Sequence, residues 1–140
     1  MEAIPQTETT KIADSSYGTG KRKTSIARLW LRKGSGSFKV NGKFMQEYFT
    51  RESYKLDILK PLEVAEMQGQ LDFNCTVQGG GLSGQVGAIR HALSKAIDAL
   101  HPSKRKSLRQ NGLLTRDSRI VERKKYGKRK ARKSTQFSKR

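Results

Sequence analysis

Alternating apolar and polar residues predict two well-defined strands. In the segment 26–31, Ala27, Leu29 and Leu31 share one face, opposite a mixed face that carries Trp30. The segment 71–78 alternates more regularly than any other part of the chain, since its odd-numbered residues are apolar and its even-numbered residues are polar. Each strand therefore offers one apolar face to a core.

A turn and a third, shorter strand follow the first strand. The stretch 32–37 contains Gly34 and Gly36 and has the composition of a turn, and Phe38 and Val40 then share one face of a short strand. We expect a hairpin here, closed by Asn41-Gly42.

Two helices are predicted in the second half of the chain. His101-Pro102 ends the first, and Ser103 is expected to cap a short basic helix over 104–110, which Asn111-Gly112 closes. The first helix covers 85–100, where apolar residues recur at helical spacing: Val86, Ile89, Leu93, Ala96, Ile97 and Leu100.

An aromatic-rich segment over 44–59 is also typical of a helix. Pro61 is expected to separate it from a further helical turn over 62–66, because proline lacks the N–H of an interior helical bond. Gly69 then precedes the strand at 71–78. Strands and helices in one unit of this length predict a single α/β (α+β) domain, a small sheet backed by helices.

The positive charge of the chain is concentrated at its C-terminal end. Residues 119–140 hold eleven Lys and Arg side chains and one acid, Glu122, which amounts to +10 of the formal +18. Because these cations repel one another and few apolar side chains accompany them, we expect an extended tail with a reach of up to about 70 Å. Such a tail indicates a polyanionic partner, above all nucleic acid.

Other features exclude several classes of function. A lone cysteine, Cys75, permits neither an intrachain disulfide nor a thiolate metal cage, so we expect a reducing compartment and no metal. The chain has no apolar run near the roughly 20 residues of a membrane span and no basic stretch with an apolar helical face, so no membrane partner is expected. Residues 1–16 are polar and unlike a targeting signal, which predicts a flexible extension retained in the cytoplasm.

The segment Gly79-Gly80-Gly81-Leu82-Ser83-Gly84 satisfies G-x-G-x-x-G between a predicted strand and a predicted helix. A dinucleotide site also needs a buried strand after the helix and an acid that holds a ribose, whereas HPSKRKSLRQNG follows here. We therefore expect no cofactor and no enzymatic activity. Two interpretations of the glycines stay open: their backbone N–H groups bind an RNA phosphate, or they permit close packing of strand and helix.

Three consecutive cations, Lys21, Arg22 and Lys23, precede the first predicted strand. Their surroundings depart from a nucleoside triphosphate loop, because Ser15 and Arg22 stand where that loop needs Gly and Ser or Thr. The cluster is either a phosphate contact or a solvated run of charge. His91 is expected on the polar side of its helix, in a structural or phosphate-facing role.

Taken together, four blocks of sequence resemble the bacterial type of the small-subunit ribosomal protein nine family. The resemblance runs from about Tyr17 to Arg140. Its most specific parts are the GGG-x-SGQ-x-GAIRH block and the terminal KARK-x-x-QFSKR block; GKRKTSIARLWL and GSFKVNGKFMQEYF are the others.

The resemblance implies a fold like the second domain of ribosomal protein five. It also implies binding to the 3′ major domain of 16S rRNA in the head of the small subunit, beside neighbouring head proteins. In that family the C-terminal tail threads through rRNA, and its end reaches the anticodon stem-loop of the tRNA in the peptidyl (P) site. On this chain the organisation would be an extension over 1–16, a globular rRNA-binding domain over 17–115 and a basic tail over 116–140.

Candidate site residues follow from the resemblance and from the basic and glycine-rich motifs. The tip, Ser138, Lys139 and Arg140, is predicted to contact tRNA. Residues predicted to contact rRNA are Lys21, Arg22, Lys23, Arg28, Gly79, Gly80, Gly81, Ser83, Gly84, Arg90, His91, Arg116, Arg119, Arg123, Lys124, Lys125, Tyr126, Lys128, Arg129, Lys130, Arg132 and Lys133. Composition alone leaves a DNA-binding nucleoid protein as the main rival, with a nucleotide-cofactor enzyme behind it.

Overall fold

The computed structural model describes residues 15–120 and 122–133. Its strands are β1 Ser15–Arg22, β2 Ser25–Lys33, β3 Phe38–Val40, β4 Lys43–Phe44 and β5 Leu71–Gln78. Its helices are α1 Met45–Tyr48, α2 Glu52–Val64, α3 Leu82–Leu100 and α4 Arg105–Gln110, with a 3₁₀ turn over Pro102–Lys104. The predicted mixed architecture, a sheet with helices, is confirmed.

The five strands form one sheet in the order β1-β2-β5-β3-β4. All neighbouring pairs are antiparallel except β3 and β5, which are parallel. A hairpin closed by Asn41-Gly42 exists, but it joins β3 to β4. The turn over 32–37 does not form a hairpin between β2 and β3, because β5 lies between these strands. The long alternating strand β5 is thus central, paired on both edges.

The core lies on one face of the sheet, as the alternation predicted. Ala27, Leu29 and Leu31 of β2 are at most 1% exposed, and the odd-numbered residues of β5 are buried as well. Burial raises the pKa of the Cys75 thiol to about 12, so this cysteine serves as a small core side chain. Helix α3 covers β1 and β2 and also contacts α2.

Strand β1 is absent from the sequence prediction, although it pairs with β2 along its whole length. It begins at Ser15, inside the polar segment predicted as an extension. Its buried positions are Gly18 and Gly20, where a Cβ would lie within 3 Å of the α3 backbone at Ala92 and Ala88. Glycine thus lets strand and helix approach closely, and an alternation built on glycine carries no apolar signal.

Two local predictions for the helices are wrong. Pro61 lies buried inside α2 and does not divide it; the interruption comes earlier, at Phe49, whose backbone is extended and whose ring is fully buried. Ser103 does not cap α4 through its side chain, because the 3₁₀ turn already leads into that helix. In both places tertiary packing and local turns overrode a residue preference.

Among the described residues, no helix combines the length and apolar character needed to cross a membrane.

Candidate nucleic-acid interface

The turn between β1 and β2 packs against the start of α3, which brings the basic cluster and the glycine-rich segment together. The Oγ of Ser25 donates to the carbonyl oxygen of Gly79 at 2.9 Å. The same carbonyl accepts a bond from Nε2 of Gln85 at 3.2 Å. Lys23 has a positive φ of 53° in the turn, and its Cβ lies near Gly84. Two motifs about 60 positions apart in the sequence therefore form one surface.

Packing accounts for most of the glycines in this segment. Gly79 and Gly80 have φ values of 80° and 62°, and a Cβ on either would lie within 3 Å of an atom of Thr24 or Ser25. A Cβ at Gly84 would also press on Ser25, whereas one at Gly81 would meet nothing within 4 Å. The packing interpretation thus holds for three of these positions.

The start of α3 nevertheless retains the chemistry of an anion site. The first bond of the helix runs from the N–H of Gln85 to the carbonyl of Gly81 at 3.0 Å. The preceding N–H groups, including those of the exposed residues Leu82 and Ser83, have no helical partner by geometry. They lie beside the Lys21–Lys23 cluster, so a phosphate here would meet both helix-end dipoles and cations.

A second group of cations gathers where the chain leaves the domain. Asp117 forms an ion pair with Arg22 of β1. Asp117 also accepts three bonds from the Arg119 guanidinium, from Nε to Oδ1 at 3.0 Å and to Oδ2 at 3.1 Å, and from Nη2 to Oδ2 at 2.7 Å. Burial, and then repulsion from Arg119 and Arg90, lowers the pKa of the Arg22 guanidinium. Two guanidinium groups therefore share a single carboxylate, and Arg90 lies close enough to Arg22 to repel it, which leaves local positive charge in excess.

His91 lies beneath this group, and its predicted place on the polar side of α3 is wrong. The ring is 7% exposed, and Nε2 lies 3.2 Å from the carbonyl oxygen of Leu114. Neutral His91 donates to that carbonyl, while its Nδ1 is buried without a partner. Burial is the main cause that lowers the His91 pKa. A buried, neutral His91 attaches residue 114 to the helix and does not face solvent.

The described part of the tail has no regular secondary structure and turns back on itself. The N–H of Lys128 bonds to the carbonyl of Lys125 across a turn at Gly127, whose φ is 76°. Glu122 pairs with both Lys125 and Arg132. Residues 122–133 therefore include a turn, and one acid gathers two cations there; the extended tail with a reach of about 70 Å stays a prediction.

Most side chains of this tail segment lie in solvent. Tyr126 is fully exposed. All the predicted rRNA-binding cations of the segment are exposed as well: Arg123, Lys124, Lys125, Lys128, Arg129, Lys130, Arg132 and Lys133. The segment thus presents a dense field of donors around a single acid.

Comparison with known proteins gives this basic surface a context. A family model described as "Ribosomal protein S9/S16" matches residues 20–140. Curated relatives called "Small ribosomal subunit protein uS9" include those of Rickettsia rickettsii (strain Sheila Smith) and Rickettsia africae (strain ESF-5). Each is 58% identical over 124 residues, which cover 89% of this chain and 78% of the relative. The relative from Rickettsia canadensis (strain McKiel) is 56% identical over 128 residues, covering 91% of this chain and 80% of its own.

The chain belongs to the ribosomal protein S9/S16 family. It is accordingly a ribosomal protein with a structural role, and the sequence prediction that it is no enzyme is confirmed. The match begins within β1 and continues through the tail, so it includes both groups of cations.

The structure does not bring every candidate residue of this ribosomal protein to one place. One group of candidates lies together beside the first turns of α3: Lys21, Arg22, Lys23 and Arg90. Arg28 lies on the sheet face opposite the core, against Trp30. Arg116 follows the junction with residue 114 and is exposed. The predicted tRNA-binding tip, Ser138, Lys139 and Arg140, lies outside the described residues.

Sequence reasoning missed Asp117, although this residue links the start of the tail to β1. A signal was available, since Asp117 is an acid between Arg116 and Arg119 in a strongly basic stretch. An acid retained among cations indicates an internal partner. That the partner is Arg22, about 95 positions earlier, depends on the unpredicted strand β1 and was not accessible from the local pattern.

Proposed function

We propose that this chain is a structural constituent of the small subunit of the bacterial cytoplasmic ribosome, where it binds 16S rRNA in the head. The observation that carries the proposal is the cluster of three guanidinium groups, in which Arg119 and Arg90 both repel Arg22 while Asp117 pairs with Arg22 and Arg119. Repulsion among these guanidinium groups destabilises the free protein. Phosphate groups bound beside them would replace that repulsion with attraction.

Binding would use two adjoining surfaces of the folded domain. Lys21 to Lys23 and the N–H groups at the start of α3 would take one phosphate segment, and the guanidinium cluster would take another. Contacts of this kind position a protein without reading bases, so recognition rests on the shape of the folded RNA. Head location, the domain boundaries and a likeness to the second domain of ribosomal protein five are parts of the same proposal.

The tail would continue these contacts away from the domain. Exposed cations over 123–133 would neutralise rRNA phosphates along its route, and the tip would reach tRNA in the P site. A chain end carries an α-carboxylate, which a phosphate repels, so the cations Lys139 and Arg140 would be needed for net attraction there. Neighbouring head proteins would complete the environment.

Reconstituted small subunits test this proposal. Deleting Ser138 to Arg140 should weaken binding of tRNA to the P site while the variant still assembles into subunits. The matched control is a full-length variant with Lys139→Arg, which keeps the charge and should bind tRNA normally. Unchanged tRNA affinity after the deletion would remove the role of the tip.

A separate measurement tests the rRNA contacts. At one salt concentration the protein should bind a folded fragment of the 16S rRNA 3′ major domain more tightly than duplex DNA of equal phosphate content. Equal affinity for the two would favour a general polyanion binder and overturn the ribosomal assignment of the surface.

A further inference from the structure

The face of the sheet opposite the core carries a row of side chains that crosses all five strands. Direct register partners link Tyr17 to Trp30, Trp30 to Asn74, Asn74 to Lys39 and Lys39 to Phe44. Side chains of direct partners point to the same face of a sheet. Since the residues that alternate with this row form the core, the row faces away from α3.

This row holds an unusual share of the exposed aromatic surface. Tyr17 is 43% exposed, Trp30 39% and Phe44 49%, and Ile26 at 36% lies on the same face. These are four of the eight large hydrophobic side chains that are exposed among the described residues. Concentrated apolar exposure of this kind marks a surface that meets a partner.

The two rings at the β1–β2 end of the row are held in place by cationic and polar neighbours. The ring centroids of Tyr17 and Trp30 lie 5.3 Å apart, and the Arg28 guanidinium lies 5.5 Å from the Trp30 ring centroid. The Oη of Tyr17 accepts bonds from Thr19 Oγ1 at 2.9 Å and from Arg28 Nε at 3.2 Å. The rings are thus preorganised, and the remaining N–H groups of Arg28 suit an anionic partner.

Charge on this face decides between kinds of partner. Four cations, Lys21, Arg28, Arg32 and Lys39, alternate with the buried residues, against one acid, Asp72. That carboxylate already accepts bonds from the N–H groups of Gly36 and Ser37, each at 2.7 Å. Cations interleaved with aromatic rings complement a polyanion that also offers flat apolar faces, which describes unpaired nucleotides.

We propose that this sheet face is a stacking platform for unpaired ribonucleotides, with Trp30 and Tyr17 as its centre. The proposal deepens the proposed function, on which it rests, by assigning part of the domain to bases and not to phosphates. Each ring stacks on a base, and Arg28 and Lys39 contact the flanking phosphates. Aromatic side chains on an open sheet face bind single-stranded RNA in this manner, with a base on each ring.

Trp30 is the chain's one tryptophan, so its fluorescence reports on this face alone. The full-length protein is titrated with a single-stranded oligouridylate of about a dozen nucleotides, within the usual site size, and in parallel with duplex RNA of equal length. Labelled RNA monitors total binding by anisotropy. Single-stranded RNA should quench Trp30 emission and shield it from acrylamide, whereas the duplex should bind with little quenching.

Variants separate the platform from the phosphate contacts. Trp30→Ala should lower affinity for the single strand about 5- to 150-fold, the loss of one stacked base, and should change duplex affinity by less than about twofold. Trp30→Phe keeps a ring and should restore most of the affinity. The control, Leu56→Ala, removes a 64% exposed side chain from α2 and should change neither.

The outcomes also separate failure of the platform from failure of the proposed function. If anisotropy reports binding of both RNAs but Trp30 emission does not change, the platform is rejected and the phosphate contacts stand. If no RNA binds, both proposals are rejected. If Trp30 responds to purified head proteins and not to RNA, the face belongs to a protein partner and the platform is rejected.

Discussion

The folded domain and the basic tail of this protein differ in where their side chains find partners. In the domain, the apolar faces of β2 and β5 are fully covered by helices of the same chain, and Leu29, Ile89 and Leu93 have no exposed surface. In the tail segment 122–133, eight cationic side chains and Tyr126 lie in solvent, and the segment holds one acid, Glu122. The core of the domain is packed by residues of the same chain, whereas the tail carries an excess of positive charge that an external polyanion would balance.

This difference shows that the domain contributes mainly folding free energy and the tail mainly binding free energy. Burial of apolar surface stabilises the domain by roughly 25 cal/mol per Å² whether or not RNA is present. Charge in the tail contributes when phosphates arrive, and salt weakens that contribution. Mutations in the core of the domain should therefore reduce folding stability, whereas mutations in the tail should reduce binding.

The largest effect is expected from Gly20→Ala at the contact of β1 with α3. Its new Cβ would lie within 3 Å of backbone atoms of Ala88 and Ala92, which cannot move as a side chain can. We expect unfolding free energy to fall by about 3 kcal/mol, the upper part of the range for overpacking. Urea denaturation followed by circular dichroism measures this loss.

Gly81→Ala is the matched control for Gly20→Ala. Gly81 has a φ of −97°, and an added Cβ there meets nothing within 4 Å. A cost of about 0.5–1 kcal/mol is expected, from the weaker N-cap preference of alanine. Equal losses in the two variants would show that the contact between β1 and α3 does not set the stability of the domain.

A rise in salt should reduce the free energy of rRNA binding by the tail about as much as Gly20→Ala reduces the unfolding free energy of the domain. If about five tail cations reach phosphates, log K for rRNA falls with log salt at a slope of roughly −4. A fourfold rise in salt then weakens binding about 250-fold, or about 3 kcal/mol, with no loss of folding. Filter binding over a salt series measures the slope, and a slope near zero would contradict the tail's role.

Paired substitutions locate that salt dependence in the chain. Arg129→Gln with Lys130→Gln should reduce the slope by about 1.8, since each phosphate contact contributes roughly 0.9. Lys43→Gln with Lys60→Gln removes the same charge from β4 and α2 and should leave the slope nearly unchanged. A similar change for both pairs would mean that net charge matters and the tail does not.

How far the sequence could predict these two regions follows from what each pattern encodes. Strands β2 and β5 were predicted because their side chains alternate, and α3 because its apolar residues recur at helical spacing. Strand β1 escaped because Gly18 and Gly20 pack by having no side chain. Pro61 was misread because a helix bearing a buried proline depends on tertiary packing that no local preference records.

The candidate site was predictable in its charge and not in its geometry. Counting residues revealed the basic tail and the Lys21–Lys23 cluster. The ion pair of Arg22 with Asp117 and the row that joins Trp30 to Tyr17 depend on β1, whereas buried His91 contacts the carbonyl of Leu114. A missing strand therefore concealed the places where separate segments meet.

A smaller effect is expected from pH, and it belongs to the domain. Burial, aided by Lys95 and Arg116 and opposed by the bond to Leu114, lowers the His91 pKa below its ordinary value near 6.5. The unfolded chain then binds a proton first, so stability is complete above about pH 6.5 and falls as the pH drops through that range. One proton limits the loss to about 1.4 kcal/mol per pH unit.

Urea denaturation at pH 7.5 and 5.5 checks the contribution of His91. His91→Gln keeps an N–H donor for the Leu114 carbonyl and should remove much of the pH dependence. His101→Gln removes the chain's other histidine and should preserve it. If the dependence follows His101, the buried ring is not its source.

The smallest effect is expected at Asp117, where the domain and the tail meet. Asp117→Asn removes two ion pairs, with partly exposed Arg22 and with largely exposed Arg119, so we expect a loss of only about 0.2–1 kcal/mol in unfolding free energy. The same change removes the one acid from the guanidinium cluster and should raise affinity for rRNA about two- to threefold at low salt. Asp57→Asn on α2 neutralises a distant exposed acid and should do neither. If Asp117→Asn instead weakened RNA binding, the carboxylate would act chiefly by orienting Arg22 and Arg119 toward the RNA. A loss of stability together with a gain of RNA affinity would therefore show that Asp117 stabilises the fold and at the same time opposes RNA binding by the neighbouring cations.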